Sequence, residues 1–152
     1  MDSSLTELKA LQGELHPFCL VCSRSNPYGL ALAFEAGQNG ELKATFHPNA
    51  GLEGYEGLLH GGMTASLLDG VMTNCLFAHG IAALTAELRV RYRKPVAIGP
   101  EISLRAWIAQ RHPPLFLLNA ELIQEGYVRA TASAKFMEQH ERRGDRNHAG
   151  RE

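Results

Sequence analysis

The sequence predicts an α+β domain in which one antiparallel sheet of six strands is wrapped around one long central helix. Three observations predict it. Leu59, Met63, Leu67 and Val71, with Leu68, Met72, Cys75 and Leu76, recur at three- and four-residue spacing, which gives one helix a broad apolar face. Four later segments alternate apolar and polar residues and are joined by short turns, the pattern of half-buried antiparallel strands. Two shorter strand signals precede the helix.

Residues 4–12 carry Leu5, Leu8 and Leu11 at helical spacing, with Ser4 as candidate cap and Gly13 and Pro17 as stops. His16-Pro17-Phe18-Cys19-Leu20-Val21-Cys22 then sets a histidine three residues before a Cys-x-x-Cys. Thiolates and imidazole suit zinc, but a closed tetrahedral site takes four ligands and only three stand at local spacing. A structural turn with reduced thiols is therefore expected, and no metal is assigned. Cys75 is a small apolar residue of the helix, and three cysteines do not make a disulfide framework.

Asn26-Pro27-Tyr28-Gly29 is a turn that opens a strand over 30–36, and Gln38-Asn39-Gly40 joins it by a hairpin to a second over 41–46. From Pro48 to Gly57 the chain is turn chemistry. Its glycines match neither a P-loop nor a dinucleotide fingerprint. The helix follows and stops at His79-Gly80. In the next strand Ala86, Leu88, Val90 and Tyr92 are placed on one face, and Thr85, Glu87, Arg89, Arg91 and Arg93 on the other. Ile102, Leu104, Ala106 and Ile108 form the next apolar face, and His112-Pro113-Pro114 turns the chain. Phe116, Leu118, Ala120 and Leu122 follow, then Glu125-Gly126, then Val128, Ala130, Ala132, Ala134 and Phe136. The alanines leave room for the helix to press closely.

The domain reading is an N-terminal helix and extension over 1–17, one domain over 18–138, and a charged flexible tail over 139–152. A net charge of -1 with 20% charged residues gives no basic footprint for nucleic acid. No apolar run reaches the roughly 18 residues that span a bilayer, and no leader pattern opens the chain. A cytoplasmic protein is expected, without nucleic-acid or membrane partners.

Chemistry concentrates at the central helix. His60-Gly61-Gly62 stands at its start, where backbone N–H groups lack helical partners and the dipole end is positive. Asp69 stands inside the apolar run, where an unpaired carboxylate is costly. Eight residues separate Gly61 from Asp69, about 12 Å along a helix. That is too far for both to serve one reacting atom in a monomer, so a second subunit has to bring them together.

The whole pattern resembles the hotdog-fold acyl-CoA thioesterases of the PaaI-like, phenylacetate-degradation type. The resemblance spans roughly residues 18–138 and rests on His60-Gly61-Gly62 with Asp69 nine residues after the histidine. Thr85-Ala86-Glu87-Leu88 followed by Tyr92 and Pro95 adds to it. Cys19-x-x-Cys22 with Asn26-Pro27-x-Gly29-Leu30 resembles one subgroup.

The resemblance implies hydrolysis of an acyl-CoA thioester to free acid and CoA, without a cofactor. Asp69 is implied as nucleophile or general base, and the Gly61 amide as the group that polarises the carbonyl. His60 is implied to orient the carbonyl or the loop, and the Thr85 hydroxyl to assist water or carboxylate. Gly62, Arg91 and Arg93 are implied in substrate binding. The assembly implied is a homodimer, paired again into a tetramer, with sites shared between subunits and the strand from Thr85 to Arg93 as the seam. One position departs from the pattern: Gly54 stands where related thioesterases often carry Asn or Gln. The alternative function is a non-catalytic acyl-CoA binding or sensing protein.

Overall fold

The computed structural model describes residues 2–139. The tail expected over 139–152 falls outside the described residues except for Gln139. In chain order the elements are α1 (Ser3–Leu15), β1 (Ala33–Ala36), β2 (Leu42–Phe46), a short 3-10 turn (Ala50–Leu52), α2 (Gly61–Ala78), β3 (Ala83–Tyr92), β4 (Ile102–His112), β5 (Leu115–Gln124) and β6 (Tyr127–Glu138).

The strands form one sheet in the order β1-β2-β4-β5-β6-β3, and every pairing is antiparallel. Helix α2 packs on one face of it. Leu67, Leu68, Val71, Met72, Cys75 and Leu76 of α2 are wholly buried, and alanines 106, 120, 130, 132 and 134 face them from β4, β5 and β6. Short side chains on three strands let the helix axis come close, as the sequence predicts. After α2 the chain crosses to the far side of the sheet, so β3 pairs only with β6 and leaves its other edge unpaired.

The local signals explain most boundaries. α2 ends at His79-Gly80, where Gly80 adopts a φ of +73° that costs a glycine little. Asn39-Gly40, with φ of +55° and +79°, makes the tight β1–β2 hairpin.

Helix α1 departs from expectation at both ends. Its cap is Asp2, whose Oδ1 accepts the Ser4 N–H at 3.0 Å, and not Ser4. Gly13 stays inside the helix, which stops at His16 because a residue before proline is pushed out of the helical region. Leu8 of α1 is buried in the common core, against α2. β1 starts at Ala33, three residues later than predicted. Leu30 and Leu32 instead donate their N–H groups to Leu20 and Val21 carbonyls, and the intervening Ala31 takes a φ of +48°.

Three register shifts interrupt the sheet; the one in β4 follows Ile108, and the other two change which of the residues read from the sequence share a face. In β3 the pairing runs Thr85 to Phe136 and then Glu87 to Lys135, so Ala86 is an extra residue. Phe136 is wholly buried, so Thr85 faces α2 together with Leu88, Val90 and Tyr92. The expected faces of Thr85 and Ala86 are thus corrected by a bulge. In β6 the pairing runs Leu122 to Ala130 and then Ile123 to Val128, so Val128 leaves the apolar face on which it was placed.

Candidate active site

The entrance of α2 is shaped by His60. The residue before the helix has extended backbone, with φ of −57° and ψ of 132°, and its Nδ1 accepts the Gly62 N–H at 2.8 Å. With Nδ1 as acceptor, the ring proton sits on Nε2. The His60 N–H donates to the Leu52 carbonyl at 2.9 Å, which ties the helix entrance to the preceding turn. Gly54 backs this arrangement, because a Cβ there would lie 3.4 Å from both Cα and Cδ2 of His60.

Of the two glycines, only one keeps a free amide. Gly62 is engaged by His60, whereas the Gly61 N–H makes no hydrogen bond among the described residues. The Gly61 carbonyl accepts the Tyr92 hydroxyl at 2.7 Å, and the Tyr92 ring lies 3.5 Å from the place a Cβ on Gly61 would take. Tyr92 thus joins this cluster; the sequence places it on the apolar face of β3 and among the residues of the family resemblance, without a partner. The signal was available, since a tyrosine on a helix-facing position carries a polar tip in need of a partner.

Asp69 lies two turns along α2, about 12 Å from Gly61 at 1.5 Å per residue. It is half-buried, not enclosed as its place in the apolar run suggested, and it is paired. The Thr85 hydroxyl donates to Asp69 Oδ1 at 2.7 Å. The bulge at Ala86 produces this contact, because an unbroken period of two would turn Thr85 to the opposite face. His60, Gly61 and Thr85 are all exposed in the single chain, and Tyr92 is 56% exposed. The open side of α2 therefore lies beside the unpaired edge of β3.

The structure joins Asp69 with Thr85, and His60 with Gly61, Gly62 and Tyr92, but does not join the two groups. Arg91 and Arg93 line an open groove of about 790 Å³ with Trp107, Asn119, Glu121 and Thr131. Arg91 pairs with Thr131 on the sheet face away from α2. On that same face Glu87 bonds Lys135 and Arg89, and Lys135 foremost holds its carboxyl below the usual range.

A second polar cluster covers the C-terminal half of α2. The donor atoms of His16, Cys19 and Cys22 all lie within 4.8 Å of one another. Burial, reinforced by the neighbouring Cys19, pushes the Cys22 thiol up to about 12. Burial also lowers His16, against an opposing pull from Asp69. Cys75, buried in the core, is likewise pushed up to about 12, and all three cysteines are free.

Residues 56–129 match the family model of the thioesterase superfamily. Over 68 residues the chain is 32% identical to the mouse (Mus musculus) acyl-coenzyme A thioesterase 13, an alignment covering 43% of this chain and 49% of that one. The chain thus spans about half the length of that curated relative. The solved E. coli PaaI protein of the phenylacetic acid degradation operon superposes with a TM-score of 0.76, at 15% identity, over 90% of this chain and 94% of that one. A Streptococcus mutans UA159 protein bound to acetyl CoA superposes with a TM-score of 0.68, at 16% identity, over 73% and 90%. No helix among the described residues is long and apolar enough to cross a membrane. With a six-stranded antiparallel sheet around a central helix and the matched segment running from the helix entrance into β6, the chain is similar to the thioesterase superfamily over that segment and has the hotdog fold of PaaI-like proteins.

Proposed function

We propose that the protein hydrolyses an acyl-CoA thioester to free acid and CoA, using sites shared between the subunits of a homodimer. The observation that carries this is the pairing of Asp69 with the Thr85 hydroxyl at 2.7 Å on the helix whose first amide, Gly61 N–H, has no partner among the described residues. A base or nucleophile and a carbonyl-polarising donor must both lie about 3 Å from one reacting group. Along one helix they are about 12 Å apart. Two-fold symmetry resolves this by setting Asp69 of one chain against Gly61 of the other, giving two equivalent sites.

In the general-base route Asp69 takes a proton from water, and the water oxygen bonds to the thioester carbon. The Gly61 amide donates to the developing oxyanion, a contact typically worth about 3 kcal/mol. The carbon–sulfur bond then breaks, and the proton passes to the CoA thiolate. In the nucleophilic route Asp69 Oδ2 attacks first, CoA leaves, and water opens the resulting anhydride. Thr85 holds Oδ1 in either case, so Oδ2 is the free oxygen.

The ten-residue β3 has an unpaired edge, and its Leu84 is 62% exposed. Such an edge is an aggregation hazard unless covered, which supports pairing with its twin. Arg91 and Arg93 then meet CoA phosphates or a second dimer across the outer face. The like-folded S. mutans protein binds acetyl CoA, which supports the substrate class.

The test is a hydrolysis screen over acyl-CoA chain lengths and aryl groups with free-thiol detection, alongside light scattering. Turnover by a dimer or tetramer, lost in Asp69→Asn, is expected. A monomer that still hydrolyses acyl-CoA refutes the shared site. Gly54 favours a second reading, since it packs on His60 where relatives offer a side-chain amide. A binding or sensing protein would retain acyl-CoA without releasing thiol, and Asp69→Asn would leave its affinity unchanged.

A further inference from the structure

We propose that His16, Cys19 and Cys22 bind one zinc ion, with an exogenous fourth ligand, and that this ion fastens the N-terminal segment to α2. The inference is independent of the thioesterase reading. Sequence spacing supplies three ligand types but cannot show whether they converge. In the structure they do, with all three donor atoms within 4.8 Å of one another and Cys22 Sγ 3.7 Å from His16 Nδ1. Bond lengths of about 2.3 Å to sulfur and about 2.0 Å to nitrogen put the edges of a zinc tetrahedron near 3.6–3.8 Å. The closest pair already stands at such an edge, and a small side-chain rotation brings in the third.

The surroundings orient the ligand atoms. The Val21 N–H points to Cys19 Sγ at 3.4 Å, a donor that favours the charged sulfur a metal needs. Asn74, beside Cys22, is held by Gln12 at 2.6 Å and the Gly70 carbonyl at 2.8 Å. The His16 ring is set edge-on against Phe77, with centroids 5.0 Å apart, which fixes its direction. Donors that orient the ligands in this way are the usual supporting shell of a metal site.

Chemistry and charge both select zinc. Two soft sulfurs and an imidazole suit it, and three protein ligands leave the open position that water fills. Binding Zn²⁺ displaces two thiol protons, and the set of two thiolates, neutral imidazole and dication is neutral overall. The consequence is mechanical. The loop carries Val21, which seats against Gly70 immediately after Asp69, so the ion clamps α1 and the loop over the C-terminal half of α2.

The test uses the full chain, stripped by chelation under reductant and titrated with Co²⁺ alone and then Zn²⁺ alone. Expected are one Co²⁺ per chain, a thiolate-to-cobalt charge-transfer band, tetrahedral visible bands, and their stoichiometric loss on zinc addition. Cys19→Ser and Cys22→Ser should each weaken binding at least about tenfold, while Cys75→Ser should not. Because the Cys22 variant could lose its fold, zinc X-ray absorption on the wild type gives a separate reading. Two sulfurs near 2.3 Å and lighter atoms near 2.0 Å support the proposal. An all-nitrogen-and-oxygen shell, the absence of charge transfer, or binding unaffected by Cys19→Ser overturns it.

Discussion

The two halves of α2 have the same backbone and opposite environments. From Gly70 to Phe77 every residue is buried, because α1 and the His16–Cys22 loop cover the side that the sheet does not. From Gly61 to Asp69 only Thr64, Leu67 and Leu68 are buried, and the rest of the surface lies open beside the edge of β3. The contrast separates stability from chemistry along one helix. Where a second layer of this chain covers the helix, side chains answer to packing. Where none does, a carboxylate and a free amide can be kept.

The largest expected effect breaks the open half alone. Asp69→Asn keeps shape and the Thr85 contact but can neither accept a proton nor attack, so thioester turnover should fall about 10²–10⁴-fold. Its unfolding free energy should stay within about 0.5 kcal/mol of wild type, as for other uncovered positions. Thiol-release kinetics and thermal denaturation on the same preparation decide both points. Activity within a factor of a few would remove Asp69 from the reaction.

Next in size is Gly61→Pro. Proline is tolerated at the first helical position, and His60 already has the extended backbone that precedes proline. The substitution deletes the helix-entrance amide that has no partner among the described residues, with an expected loss of about 10²–10³ in kcat. Mixed with Asp69→Asn chains it sharpens the comparison between subunits. Half the dimers become mixed, and one of their two sites holds both intact groups, so about a quarter of wild-type activity should return. No recovery after subunit exchange, with exchange verified by mass spectrometry, contradicts sharing.

In the covered half the expected change is in stability. Gly70 has no room for a methyl group, since its Cβ would stand 2.4 Å from Cγ1 of Val21. Gly70→Ala should cost about 1–3 kcal/mol through overpacking while leaving kcat near wild type at permissive temperature. Urea denaturation measures the first and the thiol assay the second. A large kcat loss with unchanged stability would show that the two halves are coupled.

The sequence carried most of this architecture. The limits of α2 were legible because a histidine with two glycines opens it and His79-Gly80 closes it, and the alternation of β4 and β5 survives almost unbroken. The bulge was not legible. Ala86 is small and apolar enough to fit either face, so only the pairing of Thr85 with Phe136 shows that the parity changes there. The exposure of Asp69 was hidden for a related reason, because helical spacing defines an apolar stripe but not which flank of it another element covers. Which group Tyr92 bonds, and the convergence of His16 with the two cysteines, depend on contacts between segments distant in sequence or on loop conformation, which spacing does not encode.

The smallest effect tests whether the bulge serves the site. Thr85→Val preserves the shape and β-propensity of the strand while deleting the hydroxyl that holds Asp69 Oδ1. Hydrogen bonds to charged groups are worth about 1.5–3 kcal/mol when buried, and this one is partly open to water, so about 1 kcal/mol is expected, near a fivefold loss in kcat. The affected quantity should be kcat with little change in KM, because the bond orients the reacting carboxylate and touches no substrate group. Thr85→Ser restores the hydroxyl and should recover most of the rate. If Val and Ser variants are equally slow, the threonine serves the bulge and not the carboxylate. Deleting Ala86 then offers the complementary cut: it removes the extra residue but leaves Thr85 two positions before Leu88 and opposite Phe136, so Thr85 stays on the helix-facing side and turnover should fall less than in Thr85→Val.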